Sequence, residues 1–318
     1  MFHRSTKQTS RTEPRLATRS NRVFAAAAVA AVAATGLAAC TPAPVPTRYV
    51  DITVPEITAT TEVTYATAPA LVTGTSTALK LDWYAPKGDT LVKRPVIVWV
   101  HGGGFAAGSK AAVTNVAKEW AQRGFVTVAI NYRLDSGNRC QAIQDGKITD
   151  PATLAAETTR CRNAITAAQQ DTHAAIRWVR AKASTLKIDT TKVAVGGFSA
   201  GAVTAVNVAQ WGEKPGTIGD YDTQNSRVSA AIAASGCNYD LATIGTGDAP
   251  IYLLASQLDG AVAFKCVTDT EARTKAQGLS VEKQYYYGEG THAQKLYNKY
   301  KAATDAAWSS FLIRKLGL

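Results

Sequence analysis

Residues 193–209 read VAVGGFSAGAVTAVNVA. The opening of this stretch, 193–197, is a short apolar, β-branched run that suits a strand covered on both faces, and 200–210 is alanine-rich and suits a helix. They meet at Gly197-Phe198-Ser199-Ala200-Gly201, a G-x-S-x-G pentapeptide. Glycine and serine are common enough that the letters alone arise by accident. Placement at a strand-to-helix turn carries the meaning. A serine there sits on a strained bend, and glycines two residues to either side leave room for the backbone to fold sharply. Ser199 is therefore the candidate nucleophile.

Working outward, 95–100 and 125–130 are further continuous apolar runs, and 111–123 between them has helical composition and ends at Gly124. Residues 57–66 and 78–84, rich in Thr, Val, Leu and Tyr, read as antiparallel strands at a sheet edge. Downstream, strands are predicted at 228–234, 251–255 and 281–287, with helices at 163–186, 268–277 and 294–316. The polar stretch 135–160 reads as a long irregular excursion. Strands alternating with helices predict an α/β class, with a mostly parallel sheet covered on both faces. At 318 residues, 46% hydrophobic and 19% charged, one catalytic domain over 57–318 is expected.

A serine hydroxyl needs a base within hydrogen-bond reach, commonly a histidine whose tautomer is held by a carboxylate. Past residue 39 the histidines are His101, His173 and His292. His173 falls mid-helix, which predicts a structural role, and His101 at a strand end is expected to brace its loop. His292, in the loop Gly288-Glu289-Gly290-Thr291-His292 after a strand, is the candidate base. Asp259 follows the run 251–255 by the turn Ser256-Gln257-Leu258 and is the candidate acid, ahead of Asp240 and Asp248. Next to the run 95–100 stands His101-Gly102-Gly103-Gly104-Phe105, where successive glycines let backbone N–H groups face a ligand. The N–H groups of Gly103, Gly104 and Ala200 are the expected donors to the oxyanion of acyl transfer. Gly102, Gly104 and Gly108 also fit a spaced-glycine dinucleotide loop. Against that, the next helix starts late and no acid follows the next strand for a ribose hydroxyl.

The first 22 residues hold six Lys or Arg and one Glu, and 23–39 is an uncharged alanine-rich run, the pattern of an export signal. Without 1–39 the net charge falls from +11 to +6, and no basic cluster interleaved with aromatics remains, so nucleic-acid binding is not expected. The run ends Leu37-Ala38-Ala39-Cys40, which resembles a bacterial lipobox. Cys40 is the expected lipidated N-terminus, palmitate among its acyl chains, tethered to the cell envelope through residues 40–56. Four further cysteines suit two disulfides in an exported chain. Of three possible pairings, Cys140 with Cys161 and Cys237 with Cys266 is the expectation.

With these residues in hand, the chain from Val63 onward resembles the α/β-hydrolase superfamily, and within it bacterial HGGG-motif carboxylesterases related to the hormone-sensitive-lipase-like and carbohydrate-active esterase groups. The resemblance rests on residues 80–86, 95–105, 131–134, 174–180 and 193–201, and the chain order Ser, Asp, His fits it. It implies an eight-stranded sheet with no large lid domain. It further implies hydrolysis of short acyl or acetyl esters, small or polymer-attached, through an acyl-enzyme, with neither metal nor organic cofactor. Departures are Ser256, Ala263 and Ala202, where such esterases commonly have glycine, proline and glycine. A catalytically silent surface binding protein and a peptidase are the alternative readings.

Overall fold

The structure is a computed structural model that describes residues 47–211 and 218–318. Eight strands form one sheet in the order β1-β2-β4-β3-β5-β6-β7-β8, with β1 Ile57–Pro69, β2 Ser76–Pro86, β3 Arg94–Val100, β4 Val126–Ile130, β5 Ile188–Phe198, β6 Ala230–Ala234, β7 Ile251–Ser256 and β8 Val281–Tyr286. β1 pairs antiparallel with β2 and β2 with β4, and every other pairing is parallel. The chain has the α/β-hydrolase fold.

The continuous apolar runs follow from burial on both faces. In β3, Val96, Val98 and Val100 enter one core while Ile97 and Trp99 enter the other, so no position faces water. The first core lies under α3 Pro151–Ala181 and α5 Ala200–Gln210, and also takes in Val267 of α6 Phe264–Ala276. The second lies under α1 Thr114–Gln122, α7 Ala293–Lys299 and α8 Lys301–Leu316. Gly196 is required by this second core, since a Cβ there would stand 2.7 Å from the Trp99 ring. Trp99 in turn stacks on Phe198 and tilts against Trp120 and Trp308. An aromatic cluster thus lies directly beneath the serine turn.

Three expectations change. The helix predicted at 163–186 begins at Pro151 and ends at Ala181, followed by the short α4 Ala183–Leu186. Asp150 caps it by accepting the Thr153 N–H at 2.7 Å, and Pro151 occupies the first turn, where a missing N–H costs nothing. Its first three turns are largely exposed, so they carry no apolar stripe to read. The rest of the polar excursion holds a single helical turn and a half, α2 Cys140–Gln144, clipped to α3 by the Cys140–Cys161 disulfide. The terminal helix predicted at 294–316 breaks at Tyr300, whose ring stacks on Tyr286 at 3.6 Å.

Residues 47–56, assigned above to the tether, dock on the end of α1. Tyr49 and Val54 donate their N–H groups to the carbonyls of Arg123 and Gln122, and Arg48 pairs with Asp89 at 2.6 Å. The leader, Cys40 and the rest of the tether lie outside the described residues. Among the described residues no helix is long and apolar enough to cross a membrane.

Candidate active site

Strands β5, β6, β7 and β8 stand side by side and parallel, so the residues that follow their C-terminal ends share one edge of the sheet. Ser199 follows β5, Ser235 follows β6, Asp259 follows β7 and His292 follows β8. Ligand sites in open α/β sheets form at this edge.

Ser199 has φ 56° and ψ −123°, a conformation side chains rarely adopt. The flanking glycines make it possible. A Cβ on Gly197 would stand 2.2 Å from the Gly201 carbonyl oxygen, and one on Gly201 would stand 2.1 Å from that of Val100. The close approach of Gly201 to the end of β3 also brings the glycine loop to the serine. A Cβ on Gly102 would lie 3.1 Å from Ser199 Cβ.

His292 Nε2 lies 2.8 Å from Ser199 Oγ, and its Nδ1 lies 2.8 and 2.9 Å from the two Asp259 oxygens. In the tautomer this geometry requires, Nδ1–H donates to Asp259 and Nε2 accepts from the Ser199 hydroxyl. Burial raises the Asp259 pKa. The hydrogen bonds from His292, Ser235 and the N–H groups of Ala261 and Val262 outweigh it and hold the carboxyl below its usual range.

Gly103 and Gly104 both have positive φ, at 122° and 61°. Among the described residues, no acceptor takes the N–H of either. Ala200 opens α5, and the first N–H groups of a helix have no intrahelical partner. Asn138 pins the loop by donating to the Gly104 carbonyl at 3.1 Å. These three N–H groups, beside a hydroxyl bonded to an imidazole, form an arrangement able to hold a developing oxyanion.

The remaining candidates fall elsewhere. His101 is fully buried, with Nδ1 donating to the Gly102 carbonyl at 2.7 Å and its ring stacked on Tyr132, so it braces the glycine loop. Burial lowers its pKa. His173 is buried in α3, where burial and then Arg177 push it down to about 4. Asp240 and Asp248 accept N–H groups within their own turn, from Ala242 and Gly245. Among the described residues no group of three His, Cys, Asp or Glu side chains is placed to hold a metal ion.

Sequence reading missed the residues that join the acid and base loops. Ser256, at the position commonly glycine, donates its hydroxyl to the Thr291 carbonyl at 2.6 Å, and Leu258 donates its N–H to the Glu289 carbonyl at 2.8 Å. Ser235 accepts the Ala293 N–H at 2.9 Å. Its one signal was its place after a parallel strand. Glu289 accepts from the N–H groups of Gly290 and Thr291 and from the Tyr300 hydroxyl, and pairs with Lys299. Lys299, followed by Thr291, pulls its pKa down to about 2. A lowered carboxylate pKa stabilises the fold fully above the ordinary range of about 4.3 and loses that contribution as pH falls toward 2. Glu289→Gln is expected to melt below the wild type at pH 6, with the gap closing between about pH 4 and 2. Thermal melts across that range check this, and a gap independent of pH contradicts it.

Ser199 opens into a cavity of about 650 Å³ walled by Phe105, Ile165, Val203, Tyr239, Val262 and the Cys140–Cys161 disulfide. Residues 138–144 of the polar excursion form its roof. The second disulfide, Cys237–Cys266, ties the segment after β6 to α6.

A family profile described as BD-FAE matches residues 81–149 and 157–256, more than half of the chain. The chain belongs to the BD-FAE family. The matched residues of this BD-FAE chain carry the glycine loop and the serine turn and stop just before Asp259. Among solved structures it is similar to esterase Est2 of the planctomycete Thermogutta terrifontis, with 21% identity, a TM-score of 0.59 and coverage of 83% of this chain and 93% of that one. The same esterase phosphonylated by cyclosarin matches with 21% identity and a TM-score of 0.59, over 76% of this chain and 90% of that one. A truncated carbohydrate esterase from gut microbiota matches with 17% identity and a TM-score of 0.58, over 82% and 97%. These likenesses show the shared fold. Secreted lipase 5 of Gibberella zeae is 34% identical over 70 residues, which span 19% of this chain and 13% of that protein.

Proposed function

We propose that this protein is a serine carboxylesterase that removes short acyl or acetyl groups through an acyl-enzyme. The observation that carries the reading is the unbroken line of contacts from Ser199 through His292 to Asp259, opening on a cavity beside free glycine N–H groups. Ser199 Oγ adds to the ester carbonyl carbon as its proton passes to His292 Nε2. The carbonyl oxygen takes the negative charge and is held by the N–H groups of Gly103, Gly104 and Ala200, each worth about 3 kcal/mol in such sites. The carbon–oxygen bond to the alcohol then breaks and the alcohol leaves with the proton from His292. Water repeats the sequence on the acyl-enzyme, giving up a proton to His292, and Ser199 recovers it as the acid departs. Asp259 keeps the tautomer and stabilises the imidazolium throughout.

Short acyl groups are favoured by the segment between β6 and β7, which holds only the turn Leu241–Thr243 and no helical lid. Across p-nitrophenyl esters, kcat/KM is expected to be highest from acetate to butyrate and to fall for dodecanoate. A preference for long emulsified chains contradicts this.

The same proposal places the mature chain outside the cytoplasm, held to the cell envelope by lipid on Cys40. Two disulfides support an oxidising compartment. Cells fed labelled palmitate are expected to label the wild type and not Cys40→Ser; equal label in both contradicts the anchor.

A further inference from the structure

The glycine loop passes through three residues of positive φ in succession, Gly103 at 122°, Gly104 at 61° and Phe105 at 61°. Glycine adopts such values freely, whereas a bulky aromatic residue does so only where its surroundings hold it. Phe105 is buried, and the peptide groups on both sides of it are held by one segment. Asn138 Nδ2 donates to the Gly104 carbonyl at 3.1 Å, and the Asp135 N–H donates to the Phe105 carbonyl at 2.9 Å.

Residues 135–138 form a tight unit. Asn138 donates both its backbone N–H and its Nδ2 to the Asp135 carbonyl, at 3.0 and 2.9 Å, and its Oδ1 accepts the Cys140 N–H at 3.2 Å. One side chain thus joins the glycine loop to the start of α2. No apolar core holds α2, which buries none of its residues. A segment with so few buried contacts keeps its place only through explicit fasteners. Two of these lie on α3. Arg160 grips the Asp135 carboxylate with two bonds of 2.6 Å, and Cys161 carries the disulfide to Cys140. Across the cavity, Gln141 reaches the acid loop through one longer bond, 3.3 Å to the Gly260 carbonyl.

We propose that Asn138 is a positioning residue for the oxyanion hole and that the Cys140–Cys161 disulfide keeps it in place, so that this disulfide governs the chemical step. The inference rests on the esterase reading above. Contacts run from α3 through the disulfide and the Arg160 pair to Asn138, and from Asn138 to the loop that carries the N–H groups of Gly103 and Gly104. Those donors must meet the oxyanion of the transition state rather than the carbonyl oxygen of the bound ester. A displaced loop therefore costs kcat and leaves KM in place.

The test measures p-nitrophenyl acetate hydrolysis well below the melting transition, with rates divided by the folded fraction from circular dichroism. It compares wild type, Asn138→Ala, the pair Cys140→Ser with Cys161→Ser, and all three substitutions together. A fall in kcat of about tenfold at unchanged KM is expected for Asn138→Ala and for the cysteine pair, the size of a donor displaced rather than removed. The combined variant is expected to lose no more than about tenfold, because both changes release the same loop. Ser199 Oγ adds to the carbonyl of trifluoroacetone to leave an oxyanion in the same hole, so inhibition by this ketone is expected to weaken by the factor that kcat falls. A disulfide that serves stability alone lowers the melting temperature and leaves kcat and ketone inhibition within twofold of wild type, which overturns the proposal. A loss of kcat without weaker ketone inhibition overturns it, as does a loss of about a hundredfold in the combined variant, since the two would then act separately. Wild type that cleaves no ester ends the esterase reading and the positioning role together, whereas an active wild type beside unaffected variants ends only the latter.

Discussion

Ser199→Ala is expected to lower kcat for p-nitrophenyl acetate by about 10⁵-fold while leaving the melting temperature within a few degrees of wild type. The size follows from what is removed. In the proposed mechanism the hydroxyl is the atom that bonds to the acyl carbon, and the glycine N–H groups and the cavity that remain would supply only the smaller acceleration of an oxyanion site acting on water. The fold should tolerate the change because Ser199 Oγ bonds only to His292 and forms no helix cap. The strained backbone at φ 56° is imposed by Gly197, Gly201 and the Ser199 N–H bond to the Ala234 carbonyl, none of which involves the hydroxyl. A loss of less than a hundredfold would point to another nucleophile.

Asp259→Asn is expected to lower kcat by about 10⁴-fold. One Asp259 oxygen is fixed by the N–H groups of Ala261 and Val262 at 2.8 and 3.1 Å. In the variant those donors keep the amide oxygen in that place and turn the NH₂ toward His292 Nδ1. The imidazole must then accept at Nδ1 and carry its proton on Nε2, where it cannot take one from Ser199. The variant also lacks the anion that stabilises the imidazolium. Steady-state rates on p-nitrophenyl acetate measure this, and a kcat within tenfold of wild type would remove Asp259 from the mechanism.

The parts of this site legible in the sequence are those whose residue types answer a local constraint. Gly197 and Gly201 had to be glycine because backbone lies where a Cβ would be, and the fivefold pattern shows it. The order of strands and the apolar runs revealed a sheet buried on both faces, hence an edge at which Ser199, Asp259 and His292 meet. The acid and base loops were harder to read. Ser256, Leu258, Glu289 and Thr291 bond across loops that are more than 30 residues apart in sequence, and nothing local marks one as the partner of another. The start of α3 was missed for a different reason. Its first turns face solvent and carry no periodic stripe, so only the Asp150-Pro151 cap announced it.

One hydroxyl, out of all those in the chain, is expected to be activated. The most direct measurement is reaction of the full protein with a fluorophosphonate, followed by intact mass and peptide mapping. One adduct per chain is expected, on the peptide containing Ser199, with none in Ser199→Ala and a labelling rate sharply reduced in His292→Ala. An adduct on a different residue, or an unlabelled wild type, would contradict the account.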